Sequence, residues 1–142
     1  MSVVQILKSK PRDITTLPPQ RTIAEAAGVM AERRIGAVII TTPEGGIAGI
    51  LSERDVVRAM AQHGAPALDH PLSQHMTLKV TTGKEADSIR DIMELMTVGK
   101  FRHLPIVESG RLIGIVSIGD VVKHRLAEME AEAQALREYI TA

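Results

Sequence analysis

The chain has 142 residues with 17 basic and 17 acidic side chains, so its formal net charge is zero. A neutral chain with one Tyr, one Phe and no Trp has neither the positive field nor the aromatic surface that nucleic-acid binding usually needs. It has no cysteine, which excludes disulfides, thiolate metal sites and thiol catalysis and fits a reducing compartment.

No stretch approaches about 18 consecutive apolar residues, the length expected of a membrane-spanning helix. The first residues lack the basic lead and the long apolar region of a secretory signal. We therefore expect a soluble, cytoplasmic protein without membrane insertion, large enough to bury a sizeable core.

An internal repeat dominates the sequence. Residues 21–30 are matched by 87–96, 66 positions later, and residues 49–57 are matched by 114–122, 65 positions later. Two copies favour a pair of similar units over a solenoid, which usually needs three or more. The repeat predicts two units packed with pseudo-two-fold symmetry, and residues kept in both copies become candidates to line the groove at their junction.

Each copy predicts the order strand, helix, strand, strand, helix. In the first copy, residues 14–17 form a short extended run, and the apolar runs 37–40 and 47–51 predict strands because they are too short for buried helices. A turn at 43–46 joins these two strands, and a helix begins at Ser52. The first helix of this copy has an apolar face at helical spacing, formed by Ile23, Ala26, Ala27 and Met30.

The second copy repeats this order in the same phase. Strands are predicted at 104–107 and 112–116, with a turn at 108–110 that is one residue shorter and explains the change of offset. Its last helix begins at Ser117. The apolar face of its first helix consists of Ile89, Ile92, Met93 and Met96.

Three segments lie outside the repeat order. Residues 63–71 are rich in Gly and Pro, which predicts a connection without secondary structure. Residues 3–7 and 72–76 are predicted to form short helical turns. The last helix is longer than its counterpart and has a narrow apolar seam. Either this helix folds back on its own domain, or its seam forms a dimer contact. The seam consists of Leu126, Met129, Ala133, Leu136 and Ile140.

Both copies contain the motif Gly-Ile-aliphatic-Ser-x-x-Asp-Val-Val where a strand passes into a helix. One interpretation is structural, because Ser followed three residues later by an acidic residue resembles a capping box. The other is functional: Asp is short for a capping box, and a first-turn carboxylate could accept hydrogen bonds from the vicinal hydroxyls of a ribose. The free amides and partial positive charge of the helix start would suit a nearby phosphate.

The doubled element order, the two Ser-x-x-Asp corners and the strand Phe101-Arg-His-Leu-Pro-Ile-Val107 resemble the cystathionine-β-synthase-type (CBS) domain. The resemblance covers residues 3–126 in the tandem arrangement called a Bateman module, and is greatest to small stand-alone two-domain proteins. It implies an α/β (α+β) fold of two β-α-β-β-α repeats with an extended C-terminal helix. We expect CBS domain 1 at 1–66, CBS domain 2 at 67–126 and a C-terminal helical extension at 127–142.

The resemblance implies binding of an adenosine-containing ligand (AMP, ADP, ATP, NAD(H) or S-adenosylmethionine) in clefts between the repeats. Asp55 or Asp120 would hold the ribose hydroxyls, and Ser52 or Ser117 would assist at the ribose or phosphate. The base would contact strands of the other copy. Asp120 would then share a site with Ile14, Ile35, Gly36 and Ala37, and Asp55 with Val80, Phe101, Arg102 and His103.

Basic residues that could meet a phosphate are Arg54, Arg102 and His103, each of which could equally serve as a surface or strand residue. The copies also differ: Pro105, common at its position in the family, replaces Ile39, and Gly119 replaces Arg54. We expect the Ser117/Asp120 cleft to bind better, because a small Gly119 leaves the helix start open.

The sequence gives no support for catalysis or for a catalytic cofactor. His63, His70 and His75 lack helical ligand spacing, so no metal site is expected. Two functions remain. The protein is either a nucleotide-responsive regulatory module that signals to a separate effector, or a structural and interaction homodimer with vestigial clefts.

The family resemblance also implies a disc-like homodimer of two such modules. Helix faces bearing methionines would suit that contact, although the same side chains could fill the core. These methionines are Met30, Met60, Met93 and Met96.

Overall fold

The structure is a computed structural model that describes residues 1–10 and 14–141. Its helices are α1 (Val3–Lys8), α2 (Ile23–Arg33), α3 (Glu53–His63), α4 (Leu72–His75), α5 (Ile89–Gly99) and α6 (Ile118–Thr141). Its strands are β1 (Thr16–Leu17), β2 (Ala37–Thr41), β3 (Ile47–Ser52), β4 (His103–Glu108) and β5 (Arg111–Ser117). This mixture of helices and strands confirms the predicted fold class, and α6 confirms the long C-terminal helix.

These elements form two compact units. The first unit contains residues 14–81 and 109–112, and the second contains residues 1–10, 82–108 and 113–141. The N-terminal helix α1 therefore belongs to the second unit, although it precedes the first repeat in the chain.

The first unit is built on a three-stranded sheet in the order β1-β2-β3. Strand β1 runs parallel to β2, and β2 pairs antiparallel with β3, so that Ala37 lies opposite Ser52. The turn between β2 and β3 contains Gly45 at a φ of +88°, which a residue with a side chain rarely adopts. Pairing at Ala37 brings the start of β2 beside the end of β3, where the Ser-x-x-Asp motif begins.

The second copy of the repeat keeps the β4-β5 hairpin but has only a remnant of the first strand. Gly83 forms an isolated parallel bridge with Ile106, equivalent to the pairing of Leu17 with Ile40 in the first unit. Its amide donates to the carbonyl of Pro105 at 2.9 Å. A Cβ at Gly83 would lie 2.9 Å from Leu104 Cδ2, so the bare backbone packs directly on the core. The predicted first strand is thus reduced to one bridge in this copy.

Each unit has its own hydrophobic core, and the helix faces predicted from periodicity point into it. Helix α2 buries Ile23, Ala26 and Met30, and α5 buries Ile89, Ile92 and Met96. Met30 and Met96 therefore fill cores. The first core also contains Val38, Ile40, Leu51 and Leu72, and the second also contains Val3, Ile6, Leu7, Leu104, Ile106, Val116 and Val121.

The connector between the copies is more ordered than its composition predicts. The expectation of no secondary structure at 63–71 is wrong, because Ala65–Asp69 form a 3₁₀ helix with Pro66 in its first turn. Pro is tolerated there because the first amides of a helix have no intrahelical acceptor. Ala67 in this helix is fully buried, which fixes the path of the chain between α3 and α4.

Helix α6 packs on its own unit in its first half, where Val121 is buried and Glu128 pairs with the N-terminus at 3.1 Å. The predicted seam is open: Leu126, Met129, Leu136 and Ile140 expose 55%, 48%, 59% and 71% of their surface. The seam is therefore not covered by its own unit. Among the described residues, no helix combines the length and apolarity needed to cross a bilayer.

Candidate functional site: two Ser-x-x-Asp corners

In the first unit, the corner between β3 and α3 is a complete capping box. The Ser52 amide donates to Asp55 Oδ2 at 2.9 Å, and the Asp55 amide donates to Ser52 Oγ at 3.3 Å. These bonds satisfy amide groups that a helix start leaves without partners. The structural interpretation of the motif therefore applies, even though Asp is shorter than the usual Glu.

Asp55 also has partners beyond the cap. Arg58 Nη1 lies 3.2 Å from Oδ1, and the Thr77 hydroxyl lies 3.4 Å from the same oxygen. The residue is only 5% exposed. A ribose could reach this carboxylate only by replacing Thr77 or Arg58, so a ligand contact by Asp55 stays a prediction that requires a local rearrangement.

The corner between β5 and α6 has the same cap in the second unit. The Ser117 amide donates to Asp120 Oδ2 at 3.0 Å, and the Asp120 amide donates to Ser117 Oγ at 3.2 Å. The surroundings differ, because the Asp120 side chain is 29% exposed. The Ser117 amide and Lys10 Nζ both donate to the same oxygen, Oδ2.

The partner of Asp120 outside the cap is Lys10. Its Nζ lies 2.7 Å from Oδ2 and donates to the carbonyl of Ile115 at 3.0 Å. Burial raises the pKa of Asp120, but the hydrogen bond from Lys10 and those from Ser117 outweigh it, and the pKa lies below its ordinary value. Asp120 is therefore an anion with a cation beside it at the start of α6.

Sequence reasoning missed Lys10. It lies 110 positions before Asp120, outside the motif and outside the matched segments of the repeat. Its place follows from α1, whose buried Val3, Ile6 and Leu7 dock in the core of the second unit. The spacing of Val3, Ile6 and Leu7 predicts this short helix but not the unit on which it packs.

Within each unit, the first helical amide of the corner is bound by the strand entrance of the same copy. The Glu53 amide donates to the carbonyl of Gly36 at 3.0 Å, and the Ile118 amide donates to the carbonyl of Arg102 at 2.8 Å. Gly36 and Arg102 therefore lie beside the Ser-Asp corner of their own copy. The crosswise combinations proposed for the adenine site stay predictions.

There is space around Gly119 at the second corner. A Cβ built at this position would meet only Ser117 Oγ, at 3.7 Å. At the equivalent place in the first copy, Arg54 is exposed and extends a long side chain from the helix start. Of the two corners, Ser117/Asp120 has the more exposed carboxylate and the smaller neighbour.

The other predicted site residues occupy varied environments. Pro105 is buried in β4, where its carbonyl accepts the Gly83 amide, and Phe101 packs against the second core. Arg102 is exposed, while Ala37 is 5% exposed within the sheet. Partly buried positions are held by Ile14, Ile35, Val80 and His103.

Comparison with known families identifies the fold. The sequence profile described as the CBS domain matches the chain twice, at residues 9–62 and 72–127. These two matches cover most of the chain and coincide with the two copies of the repeat. The chain belongs to the CBS domain family.

Solved structures support the same assignment. The CBS-domain containing protein ATU1752 from Agrobacterium tumefaciens is 45% identical and superposes with a TM-score of 0.85, covering 88% of this chain and 99% of that one.

Two further CBS structures contain ligands. The CBS domain pair of MJ0100, in complex with 5′-methylthioadenosine and S-adenosyl-L-methionine, is 26% identical with a TM-score of 0.79 and covers 90% of this chain and 98% of that one. The CBS domain protein PAE2072 from Pyrobaculum aerophilum, complexed with AMP, is 28% identical with a TM-score of 0.74 and covers 84% and 89%.

Proposed function

We propose that this protein is a regulatory module that binds an adenosine-containing nucleotide and signals to a separate partner. The observation that carries the proposal is the partly exposed Asp120 carboxylate at the β5–α6 corner, whose Oδ2 binds the Ser117 amide and Lys10. Similarity to CBS pairs that hold AMP or S-adenosylmethionine supports an adenosine compound as the ligand. The function is binding rather than turnover.

In this proposal Asp120 accepts hydrogen bonds from the ribose hydroxyls through Oδ1, while Oδ2 keeps the cap. Oxygen Oδ2 is already fixed by the Ser117 amide and by Lys10, so the carboxylate is oriented before a ligand arrives. Hydrogen bonds to an ionised acceptor are stronger than those between neutral groups. The corner would therefore recognise vicinal hydroxyls, which a sugar supplies and a free base does not.

The charge beside the corner favours ligands that carry a phosphate. Lys10 places an ammonium group 2.7 Å from Asp120, and the N-terminus of α6 adds a partial positive charge. The Lys10–Asp120 pair has no net charge, so the partial positive charge of the helix start decides: it attracts a phosphate and repels the sulfonium of S-adenosylmethionine. We therefore propose AMP, ADP, ATP or NAD(H) as better ligands for this corner than S-adenosylmethionine.

Calorimetric titration of AMP, ATP, NAD(H) and S-adenosylmethionine against wild type and Asp120→Ala tests the proposal. Loss of hydrogen bonds to a charged acceptor costs about 1.5–3 kcal/mol, so affinity should fall roughly 10- to 100-fold in the variant. If wild type binds none of these ligands, or if Asp120→Ala binds them equally well while remaining folded, the proposal fails.

Asp91→Ala is a matched control for this titration. Asp91 is also a first-turn carboxylate three residues after a capping serine, because its amide donates to Ser88 Oγ at 3.0 Å. It belongs to the same unit but lies at the start of α5, where no strand ends. Its removal should leave ligand affinity unchanged, which separates a ribose contact from a general effect of losing a capped carboxylate.

A second candidate function is a structural homodimer whose clefts are vestigial. The exposed seam of α6 favours an interaction role, and the buried, fully partnered Asp55 favours a first corner that serves only as a helix cap. The two candidate functions differ in whether any adenosine compound binds. Both allow a homodimer, since a regulatory module could also pair through α6.

A further inference from the structure

Three histidines that are scattered along the sequence converge in the first unit. His63 ends α3, His70 follows the 3₁₀ helix, and His75 ends α4. One ring nitrogen from each lies within 4.8 Å of the other two. Among the residues that the structure describes, no other trio of His, Asp or Glu brings its ligand atoms this close.

The rings are arranged around a shared centre. Their centroids are 5.0 Å apart for His63 and His70, 5.4 Å for His63 and His75, and 5.1 Å for His70 and His75. His70 Nδ1 and His75 Nε2 are 2.9 Å apart, with ring planes inclined by only 5°. These two nitrogens share one hydrogen bond, in which one ring donates and the other accepts.

The backbone holds these histidines in place. The amide of Ile23 donates to the carbonyl of His70 at 3.0 Å, and the amide of Leu72 donates to the carbonyl of Arg21 at 2.8 Å. Leu72 is fully buried in the first core, so α4 cannot move away from α2 without exposing it. A site whose ligands are fixed by the fold loses less entropy when an ion binds.

The electrostatic surroundings suit a cation. His63 lies in the last turn of the 11-residue helix α3, where unpaired carbonyls give a partial negative charge. Burial, followed by the charges of His70 and His63, lowers the pKa of His75, whereas the charge of Asp55 acts in the opposite direction. The net effect is a lowered pKa of His75, which favours the neutral imidazole that binds a metal.

We propose that His63, His70 and His75 form a binding site for a divalent transition-metal ion of the Zn²⁺ class. Three imidazoles with a fourth position open to water are an established ligand set for zinc. Zn–N bonds of about 2.0–2.1 Å in tetrahedral geometry place ligand nitrogens roughly 3.3 Å apart. When the ion binds, the ring that donates this hydrogen bond would carry its proton on its other nitrogen, and the two rings would turn so that the 2.9 Å pair opens by a few tenths of an ångström.

Sequence reasoning rejected this site because the three residues lack the spacing of ligands on one helix. The convergence depends on the 3₁₀ helix at Ala65–Asp69 and on the burial of Leu72, which together fold the connector back toward α3. Neither feature is visible in the spacing of the histidines. The proposal is independent of ligand binding at Asp120, because all three histidines belong to the first unit and Asp120 belongs to the second.

The test is titration of the metal-free protein with Co²⁺ and Zn²⁺. Co²⁺ bound by three imidazoles and water should give visible absorption bands that saturate at one ion per chain, and Zn²⁺ should displace it and abolish them. His63→Gln, His70→Gln and His75→Gln should each weaken Co²⁺ binding about 10-fold or more, since losing even an outer-shell partner of a metal ligand costs that much. His63 is exposed, so its variant should fold normally.

His124→Gln is the matched control. His124 lies in α6 of the second unit, where its Nδ1 contacts the carbonyl of Asp120, and it is not part of the cluster. This variant should bind Co²⁺ as wild type does. The proposal is overturned if the wild type gives no saturable Co²⁺ spectrum at micromolar concentrations, or if the spectrum survives both His63→Gln and the double change of His70 and His75 to Gln.

Discussion

At the scale of single residues, two carboxylates with the same local geometry differ in what surrounds them. Asp55 and Asp120 both complete a reciprocal cap with a serine three residues earlier. Asp55 is then covered by Thr77 and Arg58, whereas Asp120 faces Lys10 and remains 29% exposed. The motif therefore determines the cap, and neighbours outside the motif determine which carboxylate a ligand could reach.

Lys10→Met should reduce stability in a pH-dependent way. The folded-state pKa of Asp120 lies below its ordinary value of 3.8, so the ion pair stabilises the fold above that pH. Its contribution is lost as the pH falls through the folded-state pKa and the carboxylate takes up a proton. At pH 7 the variant should be less stable than wild type by about 1 kcal/mol or less, because the pair is partly exposed.

Urea denaturation of wild type and Lys10→Met at pH 7 and at pH 3 measures this effect. The difference between the two proteins should shrink at the lower pH. Lys123→Met is the control, since Lys123 is exposed on α6 and makes no ion pair within residues 1–10 and 14–141. A difference that stays constant with pH would show that Lys10 acts through packing or through its bond to Ile115 alone.

The capping serines and the motif aspartates could be predicted from sequence, because a cap depends on residues three positions apart. Lys10 and the histidine cluster could not. Their contacts depend on where α1 and α4 dock, which is decided by the burial of whole helices rather than by local spacing. The burial of Asp55 was also missed, since Thr77 lies 22 positions away, outside the helices and strands, where it forms an isolated bridge with Ile50.

At the scale of elements, the glycine that opens the motif has a packing role in both copies. A Cβ at Gly49 would lie 2.8 Å from the carbonyl oxygen of Thr77, and one at Gly114 would lie 2.6 Å from Leu7 Cδ2. Gly49 meets backbone that is fixed by paired hydrogen bonds between Ile50 and Thr77. Gly114 meets a flexible side chain that can turn aside.

Gly49→Ala should therefore destabilise the protein, by about 1–3 kcal/mol, as overpacking does in well-filled structures. Gly28→Ala is the matched comparison, because Gly28 lies inside α2 and its added Cβ would meet nothing within 4 Å. That change should instead stabilise by about 0.5–1 kcal/mol, since Ala loses less freedom in a helix than Gly. Chemical denaturation gives both values, and a neutral Gly49→Ala would contradict the packing.

The elements themselves were largely predictable, for reasons visible in particular residues. Apolar residues at helical spacing predicted the buried faces of α2 and α5, and short apolar runs predicted β2 to β5. The first strand of the second copy is only a bridge at Gly83, where the backbone packs directly against the side chain of Leu104. The 3₁₀ helix was missed because Gly and Pro indicate a turn but do not show whether consecutive turns continue into a helix.

At the scale of the whole molecule, α6 is the helix whose apolar stripe is left exposed. Its start is anchored by Val121, and its later apolar seam is exposed from Leu126 to Ile140. Apolar residues spaced three and four apart on a helix form a stripe that a second helix can cover. We expect this stripe to contribute to a homodimer.

Sedimentation at micromolar concentration tests the dimer. Wild type should sediment as a dimer, and Leu136→Glu should shift it toward monomer, because a charge would be buried in an apolar contact. Gln134→Glu is the control, since it adds the same charge to α6 outside the seam. A wild-type protein that is monomeric throughout this range would contradict the prediction.

The central claim, that the Asp120 carboxylate holds a ribose, is tested most directly by comparing AMP with 2′-deoxy-AMP on wild type and on Asp120→Ala. Wild type should bind the deoxy compound about 10-fold or more weakly, because one hydrogen bond to a charged acceptor is lost. Asp120→Ala should bind the two compounds equally, since the acceptor is gone. If both proteins discriminate to the same extent, Asp120 does not contact the sugar, and the account of this corner is wrong.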